Sequence, residues 1–114
     1  MSVLQILTKD EIKNFESAPK FDLLAKNHFF KMTDALNHMT MEMKNDSNKI
    51  LFILMYGYFK ATNRFFEIQN DDENFTYIAT RNNFNSFNYN EVTLRTIQRY
   101  KQLIKSHFGI NEYT

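Results

Sequence analysis

The stretch Ile-Leu-Phe-Ile-Leu-Met-Tyr-Gly-Tyr-Phe-Lys-Ala-Thr-Asn-Arg-Phe-Phe, Ile50 to Phe66, decides how this chain folds. From Ile50 to Phe59 only Gly57 interrupts a run of apolar and aromatic residues, so nearly three helical turns have no polar face. A helix that is hydrophobic all round must be enclosed by other elements. The run is shorter than the roughly 20 apolar residues needed to span a bilayer, which makes it a buried core helix. Asp46, Ser47 or Asn48 can cap its start. Beyond Phe59, Lys60 and Arg64 stand four apart as a wet, basic edge, while Phe65 and Phe66 return to the core. A buried strand over Ile50 to Tyr56 is the rival reading, because periodicity alone does not separate the two for a short apolar run. Amphipathic segments on both sides favour the helix.

Upstream, Thr8-Lys9-Asp10-Glu11 has the form of a capping box, with Leu7 and Ile12 as its staple and Phe15 extending the stripe. Pro19 ends that helix. Phe21 to Phe30 resumes helical spacing, with Phe21, Leu24, Ala25, His28 and Phe29 expected on one face. Thr33 starts a further helix through Ala35, Leu36, Met39 and Met43. The cluster Met32, Met39, Met41 and Met43 suggests an adaptable groove, but gap-filling core or exposed fringe is the plainer reading. Lys44 to Lys49 is a polar connection.

Downstream, Glu67 to Asn74 is an acidic loop, with Asp72 or Asn74 capping the next element. That element, Phe75 to Asn83, reads as a short helix or a strand. Asn82 to Asn90 alternates Asn with Phe84, Phe87 and Tyr89, a loop with aromatic anchors. Asn90-Glu91-Val92-Thr93 opens the clearest amphipathic helix, running to Phe108 with Gly109 as its left-handed stop. Leu94, Ile97, Tyr100, Leu103, Ile104 and Phe108 form the expected core stripe. Arg95, Gln98, Arg99, Gln102, Lys105 and Ser106 occupy the other face.

Composition narrows the class. At 114 residues, 43% hydrophobic and 16% aromatic, the chain has enough apolar matter for a packed core and is expected to form one domain. Two Gly and one Pro argue against a turn-rich β-sandwich or barrel. There is no Cys, hence neither a disulfide framework nor thiol chemistry, in keeping with a reducing compartment. Val3 to Leu7 lacks the basic flank and cleavage site of a signal peptide. A net charge of +1 says little as a sum, but its distribution is uneven. Glu67, Asp71, Asp72 and Glu73 cluster, whereas Arg95, Arg99, Lys101 and Lys105 face Glu91 alone between Asn82 and Gly109.

Catalytic chemistry is not visible. His28, His38 and His107 lack zinc-site spacing. Asp71-Asp72-Glu73 are adjacent residues that diverge rather than form a cage. No Gly-rich phosphate loop or nucleophile motif is present. The last helix carries the remaining signal. Arg and Gln read guanine and adenine edges in the major groove, where a helix fits. Lys60, Arg64, Lys101 and Lys105 suit phosphate contacts. The plain alternative is that this face is only the solvated side of a surface helix.

These residues also carry a resemblance. Leu7-Thr8-Lys9-Asp10-Glu11, Phe29-Phe30, Asn48-Lys49 before Phe52-Ile53-Leu54, the block Gly57-Tyr58-Phe59-Lys60-Ala61-Thr62 with Arg64-Phe65-Phe66, and Arg99-Tyr100 with Ile104 and His107-Phe108-Gly109 appear in one order. In that order the chain resembles the N-terminal region of replicative transposases of the Tn-three family. The resemblance covers most of the chain and implies an all-α region that recognises the terminal inverted repeats of a transposon. It further implies that cutting and joining belong to a later carboxylate domain absent from this chain. Lys60, Arg64 and Arg99 are the matched basic positions it implies as DNA contacts; Arg95, Gln98, Gln102 and Lys105 join them from the helix face. After Gly109 the family usually has a basic residue, where this chain places Glu112.

The expectation is therefore an all-α domain of five or six helices packed around a buried central helix. It would be a non-catalytic module binding double-stranded transposon-end DNA, part or remnant of a transposase, in the cytoplasm at the bacterial nucleoid. No cofactor, metal or membrane is expected, and other transposase domains or subunits are further expected partners. The competing expectation is a helical docking domain with no DNA binding of its own.

Overall fold

A computed structural model describes residues 18–69 and 72–109. Among them are five α-helices and a 3-10 turn, with no strand: α1 (Leu23–Phe29), α2 (Asp34–Thr40), α3 (Asp46–Thr62), α4 (Glu73–Asn82), the turn Tyr89–Glu91, and α5 (Leu94–His107). The all-helical expectation holds, and helix replaces strand at both places where strand was the rival. The proposed capping box at Thr8 to Glu11, with Leu7, Ile12 and Phe15, lies outside the described residues.

α3 is the hub. Every residue from Ile50 to Phe59 is buried, and α1, α2, α4, α5 and the 3-10 turn all pack against it. Its boundaries differ from expectation. Asn45, not Asp46, Ser47 or Asn48, is the N-cap, its side chain accepting 2.8 Å from the Asn48 amide. The displaced candidates have other duties: Asp46 accepts from the Asn85 amide, while Ser47 donates to Glu91 and accepts from the Asn88 amide. These bonds fasten the 84–92 loop to the first turn of α3. The helix ends at Thr62 rather than Phe66, because Asn63 takes the left-handed conformation at φ 59° that short polar side chains tolerate. Phe65 and Phe66 reach the core from the segment that follows the helix, Phe65 stacking on Phe59 at 4.7 Å and Phe66 meeting Tyr58 edge-on.

α1 corrects a second expectation. Leu24 is 79% exposed and His28 is exposed, while Phe30, just past the helix, is buried. The reason is that this seven-residue helix docks by its C-terminal end. Phe30 enters the notch at Gly57, where a β-carbon would overlap its ring and sit 2.9 Å from the Phe29 carbonyl oxygen. In α2, Thr33 is the N-cap as expected and Leu36 is the buried anchor. Ala35 is exposed, and the helix ends before Met43.

α4 begins at Glu73, capped by Asp72, whose Oδ1 accepts from the Asn74 amide at 2.9 Å. The other carboxylate oxygen accepts from Tyr58 Oη, which in turn accepts from Asn74 Nδ2, both at 2.7 Å. Burial, then the Asp72 carboxylate, push the Tyr58 hydroxyl far above its ordinary pKa; burial also raises Tyr56 and Tyr100. These phenols stay protonated in the folded chain while the unfolded chain starts to ionise near pH 10. Their stabilisation is thus complete below pH 10 and lost as the pH rises above it. A melting series from about pH 8 to about pH 11 should be flat at first and then fall, less steeply for Tyr58→Phe; a flat alkaline limb would contradict the buried phenols.

Candidate nucleic-acid interface

α5 is held by Tyr100 and Ile104, both fully buried, with the Tyr100 ring edge-on to Phe52 at 5.1 Å. Thr93 caps its start and Gly109 follows its end at φ 74°, the expected left-handed stop. With Tyr100 and Ile104 turned inward, a rotation of about 100° per residue turns Arg95, Gln98, Arg99, Gln102 and Ser106 to the opposite side. All five are exposed. Two members of the expected core stripe are not in the core: Leu94 is 72% and Leu103 42% exposed. The same rotation explains both, since each stands about 80–100° from Ile104, on opposite flanks of the buried line.

The flank carrying Lys101 and Lys105 meets the chain that leaves α3. Both ammonium groups lie over the Phe65 ring, at 5.8 and 5.7 Å from its centre. Arg64, the neighbour of Phe65, is exposed, with its guanidinium 5.5 Å from the Phe66 ring centre. Phe65 is therefore a platform shared by Lys101 and Lys105, while the Arg64 side chain lies on the ring of Phe66. Lys60 is exposed on the last turn of α3. Of the seven positions expected from the sequence, Arg95, Gln98, Arg99 and Gln102 share one helix face, Lys105 lies on the flank at Phe65, and Arg64 stands on the segment after α3, over Phe66. Lys60 has no geometric link to α5 beyond its place on α3. The sequence reading placed Phe65 in the core and missed that its ring also lies under Lys101 and Lys105, a contact set only by the folded chain.

The other flank of α5, with Thr96, Arg99 and Leu103, borders an open groove of about 500 Å³ against Met39, Met43 and Lys44. Half of the methionine cluster thus lines a groove; Met32 packs against the core and Met41 is exposed. Asn48 lies in the groove wall, 8% exposed, with its Oδ1 lacking a hydrogen-bond partner. Of the acidic trio, Asp71 lies outside the described residues. Asp72 is occupied by Tyr58 and the helix cap, and Glu73 pairs with Lys26 at 3.7 Å.

Among the described residues, no group of three or more His, Cys, Asp or Glu is placed to hold a metal ion. No described helix is long and apolar enough to cross a membrane. What the exposed surface offers is a helical face of planar hydrogen-bonding side chains beside a cluster of cations. Donors and acceptors spaced along one helix can meet base edges, and cations at its flank can meet phosphates.

No curated protein and no solved structure matches the chain. The model of one domain family, described as "Domain of unknown function (DUF4158)", matches residues 6–114. With nearly the whole length matched, the chain belongs to the DUF4158 domain family.

Proposed function

We propose that this chain is a non-catalytic DNA-binding module that recognises the terminal inverted repeats of a transposon, as the N-terminal region of a Tn-three-type transposase. The observation that carries the reading is the exposed Arg95, Gln98, Arg99 and Gln102 face of α5, flanked at Phe65 by Lys101 and Lys105. The block Gly57 to Thr62 of the transposase resemblance supports it, because it holds the Gly57 notch and Lys60 on the hub helix. The α5 face would read bases in the major groove while the Lys and Arg side chains anchor phosphates.

Fluorescence anisotropy with an inverted-repeat duplex and a scrambled duplex, across a salt series, tests this. With phosphate contacts from Lys60, Arg64, Lys101 and Lys105, affinity should fall about a hundredfold between roughly 50 and 200 mM salt. The repeat should be preferred throughout. Equal, weak binding of both duplexes would remove the base-reading role. A folded chain that binds neither duplex and self-associates would favour instead a docking role toward other transposase domains, for which the exposed Leu23 and Leu24 are suited.

A further inference from the structure

The groove beside α5 has three features that ordinary surface helices do not combine. Its walls include the thioether side chains of Met39 and Met43 and the exposed Leu103, flexible apolar matter that moulds to a flat ligand. Its rim carries two exposed cations, Arg99 and Lys44, against one acid, Glu42. In its wall Asn48 keeps a carboxamide oxygen with no partner, although the residue is more than nine-tenths buried. A buried polar atom without a hydrogen bond is destabilising, so its retention at this place needs a reason.

The surroundings of Asn48 sharpen the point. The first turn of α3 is otherwise well satisfied: Asn45 caps the Asn48 amide and Ser47 makes two bonds to the 84–92 loop. Only the Asn48 side chain is left over, and it is the member of that turn that lines the groove. A carboxamide can present either its oxygen or its NH2 group by rotating about its last bond, so it can pair with the donor and acceptor edge of a base. A volume of about 500 Å³ falls within the roughly 300–1,000 Å³ of small-ligand sites.

We propose that this groove receives one unpaired nucleotide at the end of the bound DNA, with its base between Met39, Met43 and Leu103, its edge on the Asn48 carboxamide, and its phosphate on Arg99 and Lys44. The inference rests on the DNA-binding reading above. A nucleotide answers all three features at once: a flat face for the thioethers, a hydrogen-bonding edge for the amide, and a negative charge for the rim. Arg99 borders both the exposed face of α5 and the groove, so a duplex lying on α5 would deliver its terminal nucleotide to the groove's mouth. Base contacts of this kind tolerate any sequence, because every base has an apolar face.

The 114-residue chain is titrated with two duplexes of one sequence, blunt or ending in a short single-stranded 3′ tail that carries 2-aminopurine. The tailed duplex should bind about tenfold tighter, the effect of one held base, and 2-aminopurine emission should rise as the base leaves its stack. Leu103→Trp fills the groove from a partly exposed position without changing charge, and Asn48→Ala removes the amide. Each should bring the tailed-to-blunt ratio to about one. If Asn48→Ala does not fold, the Leu103→Trp result decides. Equal binding of the two duplexes by the unaltered chain, or a preference that survives Leu103→Trp, overturns the groove assignment and leaves the DNA-binding reading intact. Binding of neither duplex overturns both.

Discussion

Gly57→Ala is expected to lower the melting temperature by about 10 °C, a loss of about 2 kcal/mol. In most helix interiors this substitution is favourable by up to about 1 kcal/mol, since alanine is the better helix former. Here the added methyl overlaps the buried Phe30 ring and lies 2.9 Å from the Phe29 carbonyl oxygen. The ring is packed against Phe21, Tyr58 and Tyr77, so turning it away from the methyl disturbs those contacts. The carbonyl belongs to the end of α1, so relief requires the whole helix to lift from α3. Gly57→Leu should cost still more. Differential scanning calorimetry decides the matter: an unchanged or raised melting temperature for Gly57→Ala would show that α1 does not dock through this notch.

Arg99→Ala is expected to weaken binding of an inverted-repeat duplex by about tenfold or more, the loss of one Arg contact. Arg99 stands on the exposed side of α5 with its guanidinium 5.7 Å from the centre of the Tyr100 ring, which favours a fixed orientation of the planar fork. How the loss is distributed identifies the contact. If Arg99 reads a base, the repeat suffers and the scrambled duplex does not. If it meets a phosphate, both suffer alike and the salt slope falls by about one. Arg99→Lys separates geometry from charge, since lysine keeps the charge and lacks the fork. Unchanged affinity in the alanine variant removes Arg99 from the site.

Much of this architecture was legible in the order of the residues. An apolar run with no polar face can only be a buried element, and Ile50 to Phe59 is buried throughout. Thr33, Asp72 and Gly109 declared their helix boundaries through their own side-chain or backbone chemistry. The polar face of α5 followed from spacing alone. What spacing could not show was tertiary choice. Asn63 could have continued α3 or ended it, and the outcome depends on Phe65 finding Phe59. Leu94 and Leu103 fit a helical stripe, but the narrow contact of α5 with α3 is satisfied by Tyr100 and Ile104. α1 defeated a stripe reading because it is anchored by a residue beyond its end. The groove was the least accessible feature: Met39 and Met43 are local neighbours, but Arg99 and Leu103 come from about sixty residues away, and only folding sets Asn48 between them.

The hub arrangement has a consequence for how the molecule opens. Most of the packing between helices includes α3, while α1 and α4 are also tied to each other by Lys26 with Glu73 and by Asn27 with Tyr77 and Arg81. Lifting α2 exposes one patch of α3, and lifting α1 also breaks its polar ties to α4, whereas disordering α3 removes the packing partner of all of them. Protection of the backbone amides against hydrogen exchange should therefore be graded by helix, with short α1 and α2 opening locally and the middle of α3 exchanging only when the whole chain unfolds. α5 occupies the middle of that scale. It is anchored at Tyr100 and Ile104, and its C-terminal end is pinned further by the hydrogen bond between His107 and Tyr56 and by Phe108 against Tyr56 and Phe59, so its first turn should open before its last.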